Sequence, residues 1–158
     1  MSWGKRILLG LVALLGVVLV VLLLRFWWLA MDSRQGQAMG LDSAGELQAC
    51  PNKPNCVLST ATDASHIAPL PLQQDVSASW VRLQQLIQAQ GGELKRVEED
   101  YLAAEFQSAL FGFVDDLEAK LDASNGVIQL RSASRVGYSD LGVNRKRIEA
   151  IRQQWRME

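Results

Sequence analysis

The sequence is poor in the residues that usually announce a chemistry. It has two cysteines, one histidine and four prolines in 158 residues, and a net charge of −1. Two cysteines are too few for a disulfide-dense scaffold. One histidine, with no CxxC or HxxxH spacing, leaves no zinc signature. A charge near zero argues against a general nucleic-acid binder, and no tryptophan alternates with basic residues as a stacking platform. No GxxxxGK[ST], GxGxxG or GxSxG occurs, so neither a phosphate-cradling loop nor a nucleophile elbow is expected. No cofactor and no metal is expected. There is no internal repeat and no low-complexity tract.

What is abundant is hydrocarbon at one end. From Ile7 to Leu24 there are 18 residues without a polar side chain. As a helix they span about 27 Å, close to the roughly 30 Å of a hydrocarbon core. Phe26, Trp27 and Trp28 extend the run at headgroup depth, and Arg25 can snorkel there. A cleaved signal peptide has a shorter apolar stretch followed by small residues. Here bulky Trp27, Trp28 and Leu29 stand where the cut would fall. Ala38-Met39-Gly40, and a lipoprotein-like Leu47-Gln48-Ala49-Cys50, lie too far downstream. The expectation is an uncleaved anchor touching the bilayer through residues 7–30. Lys5 and Arg6 favour a cytoplasmic N-terminus and a domain on the other side.

The remainder divides in order. Residues 31–49 lack a period and read as a tether. Residues 50–76 carry all four prolines and should be extended and irregular. Ser77 or Ser79 is expected to cap a helix near Trp80, whose stripe continues through Leu83, Leu86 and Ile87 to a stop at Gly91-Gly92. Leu94–Glu99 reads as an edge strand and Tyr101–Ser108 as a second strand. Two alternating runs, Phe113–Asp122 and Ile128–Val136, flank Asn125-Gly126 and predict a hairpin with a two-residue turn. That register pairs Leu121 with Leu130, Asp116 with Arg135 and Lys120 with Arg131. A last helix, capped by Ser139 or Asp140, aligns Asn144, Ile148, Ile151 and Trp155. The expected architecture is α+β: an antiparallel meander of about four strands with two helices on one face, over residues 50–158.

Charge is segregated along this domain. Residues 93–122 carry a net −6 and residues 131–158 a net +4, which suggests halves that lie side by side. The richest stretch runs from Arg131 to Arg147, where a strand hands over through glycines to a helix. Arg131, Arg135 and Arg145, with Ser139, Asp140 and Asn144, form a candidate anion site, because forked guanidinium donors and a helix N-terminus suit phosphate or carboxylate. Asp115 and Asp116 would orient the arginines. The competing reading is that these groups only cap and pair. Cys50 and Cys56 enclose five residues and are open to three readings: a disulfide, free thiols, or ligands of a metal with His66. His66, with Asp63 three residues before it, is the one histidine that could serve nucleophilic catalysis.

Together Pro54-Asn55-Cys56-Val57-Leu58-Ser59, Asp63-x-x-His66-x-x-Pro69-Leu70, Phe113-Val114-Asp115-Asp116, and Arg131-Ser-Ala-Ser-Arg135-x-Gly-x-Ser-Asp140-x-Gly-x-Asn144-Arg145-x-Arg147 resemble the family known as domain of unknown function 1499. The resemblance covers about residues 50–156. It implies membrane segments or a leader followed by one compact domain, mostly in bacteria, and brings no activity or ligand. It points to the bacterial inner membrane, with the domain in the periplasm. Three functional expectations follow. The first is an anchored module binding an anionic small molecule, lipid headgroup or envelope component through the arginines. The second is a small hydrolase using His66 and Asp115 or Asp116. The third is a structural partner of another membrane protein.

Overall fold

The unbroken apolar run makes the longest element. In the computed structural model, which describes residues 2–156, helix α1 spans Trp3–Gln35, 33 residues. Its most apolar 18-residue window has a mean hydropathy of 3.4, and none of that window is buried against the rest of the protein. It is long and apolar enough to cross a membrane. Only its last turns enter the domain, where Ala30 and Ser33 are buried.

Eight further elements follow: β1 (Cys56–Leu58), β2 (Leu70–Pro71), α2 (Val76–Ala89), β3 (Glu93–Val97), β4 (Tyr101–Gln107), β5 (Val114–Asp122), β6 (Val127–Ser134) and α3 (Val143–Arg156). The sheet is antiparallel, in the order β1-β6-β5-β4-β3, with β2 also pairing with β6. The four expected strands are β3 to β6, a meander as predicted. The proline-rich segment adds the other two. It was expected as irregular chain, yet the residues between its prolines complete the free edge of β6. The α+β class stands.

The hairpin corrects the expected register. Leu121 pairs with Ile128, Asp116 with Ala133 and Glu118 with Arg131, a slip of two residues from a turn centred on Asn125-Gly126. The cause is Asp122. Its carboxylate accepts from the Ser124 hydroxyl, the Asn125 backbone N–H and the Asn125 side chain. These bonds hold a four-residue loop in which only Gly126 takes positive φ, so Asp122 pairs with Val127 instead of entering the turn. They also hold the Asp122 carboxyl down at about 2. A slip of two keeps every side chain on its expected face, and it replaces the like-charge Lys120–Arg131 pair with Glu118–Arg131.

Both helices cover one face. Leu83 and Ile87 of α2 and Ile148 and Ile151 of α3 meet Leu102, Leu117, Ile128 and Leu130 of the sheet, all fully buried. Each such side chain contributes roughly 1.5–3 kcal/mol on burial. The α2 cap is Asp75, two residues before Ser77 and four before Ser79, with Oδ1 accepting from Ala78 N at 3.0 Å. A carboxylate also answers the positive helix end. Ser79 Oγ bonds the Asp75 carbonyl instead. At α3 the cap is Asp140, accepting from Gly142 N and Asn144 N.

The other face of the sheet is covered too. Residues 36–50, expected as part of a tether, run across it as a strap. Leu47 is buried with Leu58, Tyr101 and Ala103, and Ala38, Leu41 and Cys50 pack around them. The strap is closed at its end by the Cys50–Cys56 disulfide. Of the three readings of these cysteines, the disulfide is the one found.

Candidate functional site

Two strands bring charge to the strap-covered face. β6 directs Arg131 and Arg135 there, and β5 directs Asp116 and Glu118. Glu118 is fully buried. Its carboxylate accepts from Arg131 Nη1 at 2.7 Å, the Tyr101 hydroxyl at 2.8 Å and Gly40 N of the strap at 2.8 Å. Burial raises the Tyr101 phenol above its ordinary value, and the Glu118 charge adds to that. Arg135 forks onto Asp116 at 2.8 and 2.6 Å and reaches Glu105 at 2.6 Å. Its Nη1 donates to the Ser33 carbonyl at the end of α1. Burial pushes the Glu105 carboxyl up, but hydrogen bonds and charge from Arg135 and Lys95 outweigh it and hold Glu105 below its usual range. The acids of β4 and β5 thus neutralise the bases of β6, as the charge segregation suggested.

The candidate residues do not converge in one place. Arg131, Arg135 and Asp116 lie under the strap. Asn144, Ser139, Asp140 and Arg145 belong to the α3 start, on the helix side. Asn144 is fully buried. It is bonded to Ser132, Ser134, Asp140 and Arg147. Burial raises the Asp140 carboxyl, and the N–H groups of Asn144 and Gly142 more than reverse this. Ser139 Oγ accepts from Leu141 N. Arg145 donates to the carbonyls of His66 and Ala64, both at 2.8 Å, and so pins the 60–66 loop. Asp115 and Asp116 leave β5 on opposite faces. Asp115 pairs with Arg147 of α3 at 2.8 Å, so the sheet stands between the two carboxylates. His66 Nδ1 is 2.9 Å from the Ala61 carbonyl. Among the described residues no group of three or more His, Cys, Asp or Glu could hold a metal ion.

Two hollows are lined by members of the predicted arginine cluster. The larger, about 590 Å³, lies at the α3 start and includes Asp63, Tyr138, Asp140 and Arg145. Its arginine is already committed to carbonyls, as above. The smaller, about 390 Å³, lies between strap and sheet, lined in part by Gly36, Lys53, Asn55, Asp116, Arg131 and Arg135. Two of its lining residues carry buried polar atoms without a partner: Arg131 Nε and Asn55 Oδ1. Both residues are 3% exposed. The Asn55 amide is oriented by its other end, since Nδ2 donates to the Gly137 carbonyl at 3.2 Å and the Ser134 carbonyl at 3.4 Å. A buried donor or acceptor left unpaired costs about 1–3 kcal/mol, and both of these belong to residues that line one cavity.

Sequence reasoning reached Arg131, Arg135 and Asp116 of this cavity but missed Asn55 and Lys53. Asn55 was legible only as part of the Pro54-Asn55-Cys56 motif; its role depends on the strap.

A family model described as "Protein of unknown function (DUF1499)" matches residues 46–155, and the chain belongs to that family. No curated protein matches it.

Proposed function

We propose that this family member is a membrane-anchored module that holds a phospholipid headgroup in the cavity between strap and sheet. The observation that carries the reading is the pair of unpartnered buried atoms, Arg131 Nε and Asn55 Oδ1, beside the same cavity. The two charges of Arg131 and Arg135 meet three carboxylates, Glu118, Asp116 and Glu105, and Lys53, which also lines the cavity, brings the sum to zero. The cavity therefore favours a singly charged group over a polyanion. It offers one N–H donor from Arg131, the Lys53 side chain and one acceptor from Asn55. A phosphodiester oxygen suits the first two. A headgroup hydroxyl or ammonium suits the third.

Position supports a lipid source. Gly36 and Gln37, which follow α1 directly, line the cavity. From Trp27, where α1 leaves the hydrocarbon core, to Gly36 is about 14 Å of helical rise, so the cavity lies on the membrane-proximal side of the domain. Retention of α1 is supported by its last turns. Ser33 Oγ accepts from Val114 N and Ser33 O accepts from Arg135, contacts that a cleaved leader would forfeit. On this reading the N-terminus, with Lys5 and Arg6, stays in the cytoplasm of a bacterium and the domain stands in the periplasm, where a disulfide is at home.

The test is lipid retention by the purified full chain, read by native mass spectrometry after exchange into phosphatidylglycerol, phosphatidylethanolamine or phosphatidylcholine. Phosphatidylcholine has the phosphate but no headgroup donor for Asn55. Preferential retention of the first two is expected, weakened in Arg131→Lys, which keeps the charge and removes Nε, and in Lys53→Gln. Binding of soluble glycerophosphoethanolamine, the same phosphodiester without acyl chains, to the same extent would move the source from lipid to solute. Equal retention of all three lipids, untouched by either variant, would refute the reading.

A further inference from the structure

The tip of the β4–β5 hairpin is unusually apolar for an exposed loop and sits against the anchor. The sequence from Ser108 runs Ala109-Leu110-Phe111-Gly112-Phe113 before β5 begins. Leu110 is 83% exposed. The Phe111 ring stacks on Phe26 of α1 at 5.4 Å between centroids, and Phe113 meets the same ring edge-on at 6.4 Å. Phe111 and Phe113 also touch each other, at 6.0 Å.

The tip is held in place. Ser108 N donates to the Phe113 carbonyl, Gly112 N to the Ser108 carbonyl, and Phe113 N to Ser108 Oγ. Arg34 of α1 donates to the carbonyls of Phe111 at 2.7 Å and Gly112 at 3.1 Å. Gly112 is required at this junction. Its φ is +69°, the left-handed region that favours glycine, and a Cβ there would crowd the Arg34 guanidinium. The loop is thus clamped to the helix by one cation and three aromatic rings.

Depth along α1 sets what surrounds the tip. A helix entering the hydrocarbon core at Ile7 leaves it after roughly 20 residues, at about Phe26–Trp27. Trp27 and Trp28, 60% and 57% exposed, suit that boundary. Phe111 and Phe113, in contact with Phe26, share its depth.

We propose that the 109–113 tip is a second membrane-inserted element, which dips Leu110 and Phe111 into the same leaflet that receives the end of α1 and so seats the domain against the bilayer. The proposal rests on the anchor half of the functional reading and is independent of the headgroup half. It fixes the domain's orientation on the membrane.

The experiment uses the full chain in phosphatidylcholine vesicles. An environment-sensitive fluorophore is attached at Leu110→Cys, and in a second protein at Val18→Cys. The native cysteines are disulfide-bonded and do not compete, and an 83% exposed position tolerates the label. Quenching is read with nitroxides at shallow or deep positions of the acyl chain. The position 110 label should emit in the blue and lose most of its emission to the shallow nitroxide. The position 18 label should be quenched more by the deep one. Quenching at 18 with a water-like, unquenched label at 110 overturns the inference and leaves the anchor standing. Absence of quenching at both overturns the anchor, and the inference with it. A blue-shifted label at 110 that lipid does not quench would mean that protein, such as a second copy, covers the tip, and would also overturn it.

Discussion

Glu118 is the residue on which the strap-covered face depends, and its removal can be worked through. Glu118→Ala deletes one carboxylate that accepts three hydrogen bonds, from Arg131, Tyr101 and Gly40. It leaves the Arg131 cation, itself 3% exposed, with only the Met39 sulfur at 3.0 Å and an Nε already unpaired. Breaking a buried ion pair from one side costs about 3–5 kcal/mol, a fifth or more of the roughly 5–15 kcal/mol that stabilises a domain. At about 3–4 °C per kcal/mol for a domain of this size, the Tm should fall by roughly 10–20 °C. The assay is near-UV circular dichroism of the full chain in detergent, following Trp80 and Trp155 in the core. The double variant Glu118→Met with Arg131→Met should cost less than Glu118→Ala alone, because no charge is stranded. Lys120→Ala, which breaks a pair with the half-exposed Asp100, should cost under about 1 kcal/mol. A Glu118→Ala loss as small as that of Lys120→Ala would mean that the Glu118–Arg131 pair is solvated, against the burial of both side chains.

Other outcomes follow from the same coordinates. Gly92→Ala should destabilise by about 1–3 kcal/mol in thermal melts, because a Cβ there would lie 2.6 Å from Ile87 Cγ2 and from Phe106 Cζ. Asp140→Ala should cost about 0.5–2 kcal/mol through loss of the α3 cap, with Asp140→Asn recovering part of it. Glu105 and Asp140 have folded-state values held below their ordinary ones. The stability they contribute is therefore complete above about pH 5 and is lost as pH falls through their folded values. An acid melt series should show this decline, made shallower in Glu105→Gln. Reduction of Cys50–Cys56 releases a short loop worth about 2 kcal/mol by chain entropy, and should first raise hydrogen exchange in the strap at Leu47.

The parts of the fold that were legible were those with a period. Trp80, Leu83 and Ile87 repeat with a helical spacing, and Asn144, Ile148, Ile151 and Trp155 do so more clearly. The alternation on either side of Asn125-Gly126 announced the central hairpin and assigned each side chain to the correct face. Its register escaped because Asp122, three residues before the expected turn centre, captures the loop with its own carboxylate. The strap escaped for a different reason. Leu41 and Leu47 are isolated apolar residues in a polar stretch, and what buries them, Tyr101 and Leu58, is distant in sequence. For the same reason nothing in the sequence marked the charged face as covered, although Glu118 and Arg131 are among the best-buried residues of the chain. The arginine cluster was correctly drawn to attention but wrongly drawn together. Consecutive elements carry its members to two sides of a sheet, and spacing along a sequence does not report which side wins. Asn55 carries no signal of its own beyond its motif, since an orphaned acceptor exists only once the strap is in place.

The central claim is that the strap cavity is built around a guest. An atomic-resolution crystal structure of the full chain, extracted with its native lipids, tests it directly at one atom. A phosphodiester oxygen is expected within hydrogen-bond reach of Arg131 Nε, with a headgroup hydroxyl or ammonium against Asn55 Oδ1. Ordered water alone at both atoms, or a strap shifted so that protein groups satisfy them, would contradict it.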